Sequence, residues 1–382
     1  MSIEIVMIKR NAKLTAVDLF AGAGGLSLGF KQAGFRIVFA VEKEIYCAET
    51  YKKNHGEMNI KVILEDISKT DFLETLKENR LNRGDIDILL SGPPCQGFSI
   101  SNMRTRSMDN PHNHLFKEFI RAVEEIYPKW ILFENVSGIV NFEKCEIVET
   151  IKNKLEELGY SCVSSVLNAA DYGVPQIRRR FFIVGNRMDI QFSLPSPSHG
   201  FNGKPYVTVR DAIFDLPILE NGNKYDCLQY QFNNTDITEY QREMRKNYSS
   251  EYCMNNQVTK NNNMVIDRYK FIPPGGNWEH IPSELMQNYK NRNNCHSGIY
   301  KRLKWDEPSI VISNFRKNML IHPEQHRGLS IREAARLQSF PDNYIFFGSL
   351  GDQQQQVANA VPPLLARSIA AAIRGAIECG TY

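Results

Sequence analysis

The sequence predicts an α/β fold in which a helix-covered sheet is followed by a second, irregular lobe. Three observations support this. Through the first half, short apolar runs alternate with stretches of helical spacing, the pattern of strands joined by helical crossovers. Near Gln191 the composition changes, and as far as about Arg327 the chain is rich in Asn, Tyr, Pro and Gly with little periodicity. At 382 residues the chain also exceeds the ~250–300 at which single cores usually stop growing, so two lobes are expected.

Thr15–Leu19 reads as a buried strand running into the turn Ala21–Gly25 and a helix through Ala33. Arg36–Val41 is the next strand. Ile86–Leu90 and Trp130–Phe133 are further apolar runs, and between them Leu115, Phe119, Val123 and Ile126 recur at helical spacing. Ile147, Ile151, Leu155 and Leu158 form another helical stripe, closed by Gly159, and Phe181–Val184 completes the strands. The strand–helix alternation makes the expected sheet parallel. In the irregular stretch, Trp278, Trp305, Phe315 and many tyrosines supply core material that disordered segments lack. Ser330 and Glu333 fit a capping box, and the helix they open stops before Phe340-Pro341. A final apolar helix, Leu364–Ile377, is expected to pack back on the first lobe. The implied division is 1–188, 189–345 and a returning segment 346–382.

Lys and Arg number 46 against 43 Asp and Glu, a net +3 that neither demands nor excludes a polyanionic partner. Of the eight cysteines, none forms a C-x-x-C pair, which argues against zinc and dithiol chemistry, and no metal is expected. Met1–Lys13 carries Glu4 and too short an apolar run for a signal sequence. No stretch approaches the ~18 apolar residues of a membrane span, so a cytoplasmic protein without a membrane partner is expected.

Chemistry concentrates where apolar strands end. Gly22, Gly24 and Gly25 strip side chains from the turn after Asp18, letting a ligand approach backbone at a helix N-terminus. Glu42 ends the second strand, where a carboxylate can bind ribose hydroxyls. The spacing is not G-x-G-x-x-G, which disfavours a dinucleotide and an NAD-dependent oxidoreductase. Asp66, followed by Ile67, reads either as a helix cap or as an acceptor for an adenine amino group. In Ser91-Gly-Pro-Pro-Cys-Gln-Gly-Phe-Ser99, two prolines fix a turn that presents Cys95 at the carboxyl edge of the sheet. A cysteine is intrinsically a strong nucleophile although mostly thiol at neutral pH. Glu134, ending Trp130-Ile-Leu-Phe-Glu-Asn-Val, either caps the next element or faces Cys95 and exchanges a proton with a heterocycle. Strand alternation puts Gln176, Arg178 and Arg180 on one face. One guanidinium can then bond a carbonyl oxygen where negative charge develops, and another can hold a carboxylate or phosphate.

Together these segments resemble the cytosine-5 DNA methyltransferases of bacterial restriction systems. The motifs run in that family's order: D-L-F-x-G-x-G-G, G-P-P-C-Q-x-F-S, E-N-V, Q-x-R-x-R, R-E-x-A-R-L-Q-x-F-P and Gln356-Val-Ala-Asn-Ala-Val-Pro-Pro. The resemblance implies a Rossmann-like S-adenosylmethionine-dependent methyltransferase sheet with a separate target-recognition domain. It implies a cofactor pocket lined by Phe20, Gly22, Gly24, Glu42, Asp66, Ile67, Pro94, Leu115 and Asn359. Cys95 would attack carbon 6 of a flipped cytosine, Glu134 would engage ring nitrogen 3 and the exocyclic amine, and Arg180, with Arg178, would bind the ring oxygen. Two departures stand out: Lys43 follows Glu42 where many relatives carry an apolar or aromatic residue, and Ala358 precedes Asn359 where Gly is frequent.

Double-stranded DNA is the expected partner, bound by a monomer, with a cognate restriction endonuclease acting on the same site. Gln96 and Ser99 are expected to touch DNA, and the polar stretch Ile100–Asn113, with Ser101, Arg104, Thr105 and Arg106, reads as a lid over the flipped base or as an ordinary exposed loop. From Met286 to Lys304 no acidic residue occurs, and Lys290, Arg292 and Arg302 can pair with phosphates or read base edges, although a solvated basic surface has the same composition. An RNA cytosine methyltransferase is the nearest rival, and the sizeable variable lobe favours duplex DNA. A non-catalytic DNA-binding regulator is disfavoured by the intact Cys95, Glu134 and Arg180 set.

Overall fold

The computed structural model describes residues 13–56, 60–94, 115–140, 146–232, 236–289, 298–313, 315 and 320–380. Its centre is a seven-stranded sheet in the order β3-β2-β1-β4-β5-β7-β6. The strands are β1 (Thr15–Leu19), β2 (Arg36–Glu42), β3 (Lys61–Leu64), β4 (Ile88–Ser91), β5 (Trp130–Val136), β6 (Ser161–Asn168) and β7 (Arg179–Asn186). β1 to β5 pair in parallel, whereas β7 runs antiparallel to both β5 and β6. The expectation of a parallel sheet is corrected at this edge. β6 reaches β7 through the short turn around Ala169–Tyr172, and so connected they can only pair antiparallel.

Side-chain alternation divides each central strand between two cores. Leu132, Phe182 and Val184 face one side with Phe30 of α1 (Gly25–Gln32), while Ile131, Phe133 and Ile183 face the other. That second side is covered by α3 (Phe72–Glu78), α4 (Leu115–Ile126) and α5 (Glu146–Glu157). α2 (Ile45–His55) joins β2 to β3 and buries Tyr51 against Ala21 and Ala40.

The first core does not stop at the sheet. It continues into α6 (Val209–Ile213), α7 (Glu239–Arg245), α9 (Ile331–Leu337) and α11 (Pro363–Gly380). A smaller core gathers Tyr269 of α8 (Asn263–Lys270), Trp278, Met286 and Tyr300, so the Asn-rich stretch is packed by its own aromatics. The box at Ser330 forms as the sequence predicts: the Glu333 amide donates to Ser330 Oγ and the Ser330 amide to Glu333 Oε2. Glu333 also takes two bonds from Arg327, and Arg327 and His322 hold its carboxyl down at about 2 despite burial.

α11 returns to lie on α1. The approach is so close that a Cβ on Gly29 would stand 2.6 Å from the Arg367 amide nitrogen, which only glycine tolerates. The stretch Leu350–Gly380, which includes α10 (Leu350–Asn359), contains a window apolar enough to cross a membrane by length and composition alone. Half of its apolar window is buried in this core, as expected of a helix that closes a fold.

Candidate active site and cofactor cleft

A cleft of about 820 Å³ opens at the carboxyl ends of β1, β2, β4 and β5. In open α/β sheets this is where ligands bind. One half is made by the turn after β1. Phe20 sits there in the left-handed region at φ 56°, rarely adopted by a bulky residue, and lines the cleft beside Gly22. Gly22 is also left-handed, and a Cβ on it would meet nothing within 4 Å, so bare backbone faces open space.

Glu42 fixes this turn from below. Its Oε2 accepts from the Gly22 amide at 2.7 Å and its Oε1 from the Lys43 and Glu44 amides at 2.9 and 2.8 Å. Burial nonetheless raises its pKa. A carboxylate has about four acceptor positions, so part of its capacity stays open to the cleft that it lines. Of the two roles the sequence left open for Asp66, the structure shows the cap. Its Oδ1 caps the short helix Ile67–Lys69 through the Ser68 amide and hydroxyl, and the residue also lines the cleft with Ile67. Pro94, Leu115 and Asn359 complete the expected lining, and Gln355 donates to Asn359 Oδ1 at 2.7 Å.

Gly24 is corrected. It does not line the cleft; it lies against α2, where a Cβ would be 2.5 Å from His55 Nε2. Its missing side chain makes room for a buried polar cluster. Ser27 Oγ donates to Asp18 Oδ2 at 2.6 Å and stands 2.5 Å from the Tyr51 hydroxyl, while the Tyr344 hydroxyl bonds His55 Nε2 and donates to the Ala23 carbonyl. Among the described residues Asp18 Oδ1 has no hydrogen-bond partner. Burial of this carboxyl, with Glu42 nearby, outweighs the bonds from Ser27 and raises its pKa from 3.8 to about 7.

A folded-state pKa above the unfolded value favours the fold at low pH, and that advantage is lost as pH rises through the folded value. For Asp18 the window runs from 3.8 to about 7 and is on the order of 4 kcal/mol. Asp18→Asn, always neutral, is therefore expected to gain stability relative to wild type between pH 5 and pH 8. Urea midpoints at the two pH values measure this, and a difference that does not move with pH would show Asp18 to be ionised throughout.

The other half of the cleft is built on β4, β5 and β7. Glu134 of β5 is opposite Phe182, and Arg180 is opposite Val136, which puts Glu134 and Arg180 diagonally on one face. Arg180 Nε stands 3.1 Å from Glu134 Oε1, with both side chains largely buried. Burial raises the Glu134 pKa and outweighs the lowering by Arg180 and Arg178. Glu134 also stands over the turn that follows β4: a Cβ on Gly92 would be 3.3 Å from its Oε2. Asn135 donates to the Pro93 carbonyl at 3.4 Å, tying β5 to the Pro-Pro turn. Gly92 and Asn135 lie inside the G-P-P-C and E-N-V motifs, where nothing in their spacing marks them as site residues. Cys95, Gln96, Ser99, Arg104, Arg106, Lys290 and Arg292 lie outside the described residues.

Two arginines make contacts that the sequence did not suggest. The terminal nitrogens of Arg178 donate to the main-chain carbonyls of Ile312, Ala358 and Ala360 at 2.8 to 3.0 Å. It is buried, and it braces the cleft that it also lines. Arg302, expected on DNA, is buried too, and donates to the carbonyls of Ile272, Tyr269, His322 and Gln325. These bonds tie Arg302 to the smaller core around Tyr269. Ser313, which no sequence pattern flagged, lines the cleft from the chain that follows the Asn-rich stretch.

A sheet of this order, with a bare glycine turn at one end of the cleft and a carboxyl–guanidinium pair at the other, has close counterparts. Residues 14–375 match the family of C-5 cytosine-specific DNA methylases. The chain is 35% identical to the type II methyltransferase M1.HphI of Haemophilus parahaemolyticus, over 94% of its own length and 86% of that protein's. It is 34% identical to the type II methyltransferase M.DdeI of Desulfomicrobium norvegicum, covering 94% and 88% respectively. The crystal structure of a DNA modification methyltransferase encoded within an E. coli prophage superposes with a TM-score of 0.75 at 26% identity, over 96% of this chain and 99% of that one. The chain belongs to the C-5 cytosine-specific DNA methylases and is a cytosine-5 DNA methyltransferase of the type II restriction–modification kind, with S-adenosylmethionine as methyl donor.

Proposed function

We propose that the enzyme extrudes a cytosine from duplex DNA into the Glu134–Arg180 half of the cleft and methylates it through a covalent bond to Cys95. The observation that carries this is the buried pairing of Glu134 with Arg180 directly over the turn Gly92-Pro93-Pro94, to which Cys95 is joined. The base inside a duplex cannot be reached, so extrusion precedes chemistry and costs a few kcal/mol.

The residues of the other half suit S-adenosylmethionine. Phe20, Ile67 and Leu115 offer apolar surface for the adenine, Asp66 an acceptor for its amine, Glu42 an acceptor for ribose hydroxyls, and Gly22 bare backbone. Bound there, the sulfonium supplies an electrophilic methyl group. Everything else falls to the protein. Cys95 adds to carbon 6 as thiolate, and Glu134, kept protonated to higher pH by burial, gives a proton to ring nitrogen 3. Arg180 orients Glu134 and bonds the ring oxygen. Carbon 5 is then enamine-like and accepts the methyl group; loss of its proton to water re-forms the double bond and expels Cys95 as thiolate, and ring nitrogen 3 returns its proton to Glu134.

Residues 189–345 serve as the target-recognition domain between the catalytic residues 1–188 and the returning segment 346–382. Methylation protects DNA in the cytoplasm from a cognate restriction endonuclease that forms no stable complex with this monomeric enzyme. Incubation with the methyl donor and a duplex bearing 5-fluorocytosine at the target is the test. Fluorine cannot leave as the proton does, so a sulfur-linked adduct at Cys95 should accumulate. Its absence while unmodified duplex is turned over would sink the covalent mechanism.

A further inference from the structure

The segment Ser309–Ile312 leaves the recognition part of the chain and lies along residues 175–177, pairing through the Ile177 amide to the Ser309 carbonyl and the Ser309 amide to the Pro175 carbonyl. Two buried side chains then grip one residue of it. Gln176 Oε1 accepts from the Ile312 amide at 3.0 Å, and Arg178 Nη1 donates to the Ile312 carbonyl at 2.9 Å. Both reach onward. Gln176 Nε2 donates to the Leu337 carbonyl at the end of α9, and Arg178 Nη2 donates to the carbonyls of Ala358 and Ala360 in the returning segment. Those two carbonyls bracket Asn359, whose side chain lines the cofactor half of the cleft, while Ser313, next after Ile312, lines the same cleft.

One planar guanidinium therefore joins three stretches of chain that are distant in sequence. Its fork is rigid and its charge cannot be given up. If either stretch shifts, a buried cation loses an acceptor, which is far more costly than losing an exposed bond. The arrangement with all three carbonyls held is thus a distinct state, which ligands at either end can favour.

We infer that Arg178 couples the two substrates: DNA seated on the recognition lobe and the methyl donor in its cleft each tighten binding of the other through this clasp. This rests on the proposed cleft assignment, and adds that Arg178 is a positioning residue for binding cooperativity. Coupling between sites must be reciprocal and is typically 5- to 150-fold.

The product S-adenosylhomocysteine allows measurement without turnover. Its Kd is determined by calorimetry with and without a duplex carrying the site that bisulfite sequencing identifies in an expressing host. For wild type the duplex is expected to tighten Kd about tenfold. In Arg178→Lys, whose ammonium cannot hold three carbonyls in these directions, the ratio should fall to within about twofold of one. Gln176→Met releases the Ile312 amide while keeping the buried cation, so an intermediate ratio is expected, and this variant decides the matter should Arg178→Lys not fold. A wild-type ratio near one, or variant ratios equal to the wild-type ratio, overturns the inference. Failure of wild type to methylate carbon 5 at all would count against the functional reading instead.

Discussion

A Cys95→Ala enzyme is expected to transfer no measurable methyl group to duplex DNA while binding that duplex about as tightly as wild type. Carbon 5 of cytosine is a poor nucleophile until a group adds at carbon 6, and no other residue of the proposed mechanism can make that bond. Removing an obligatory nucleophile costs on the order of 10⁴-fold or more in kcat. Binding, by contrast, draws on backbone and groove contacts elsewhere. Labelled methyl transfer and fluorescence anisotropy on the same duplex give the two numbers. Turnover within tenfold of wild type would remove Cys95 from the mechanism.

Glu134→Gln is the second large effect. The substitution preserves size and leaves a neutral group beside Arg180, but it takes away the proton that ring nitrogen 3 needs. A positioned acid is typically responsible for 10²–10⁴-fold, and a loss of about that size in kcat is expected, with the Kd for S-adenosylhomocysteine within about twofold. The pH profile adds a signature. Burial raises the Glu134 pKa, so its protonated form persists further towards neutral and is lost as pH rises through that value. The alkaline limb of wild-type kcat due to Glu134 should therefore be absent from Glu134→Gln. An unchanged limb would assign it to another group.

The strands at the centre of the sheet were legible because both their faces are buried. Trp130–Phe133 is wholly apolar and Thr15–Leu19 is polar only at Thr15 and Asp18, runs too short to be read as helices. β3 and β6 were not, because each is an edge strand: Ser161–Asn168 exposes much of its length and reads as a polar loop. Residues fixed by local chemistry, such as Ser330 with Glu333, could be read from spacing alone. Arg178, Arg302 and Gly24 could not. Their partners are carbonyls or rings far along the chain, up to 182 residues away for Arg178, and nothing in an arginine's neighbours in sequence says whether its fork meets DNA or main chain. Ser313 is the converse, an ordinary serine given meaning by the strand-like pairing that carries it to the cleft.

The seating of α11 against the bare flank of α1 at Gly29 bears on how the enzyme is made. Contact between α1 and α11 cannot form until the ribosome has released the long stretch of chain that separates them. Until then the α1 flank lacks this cover, the condition in which nascent chains associate wrongly. Order of synthesis and order of completion thus part company: the glycine turn is made well before the helix that seals it.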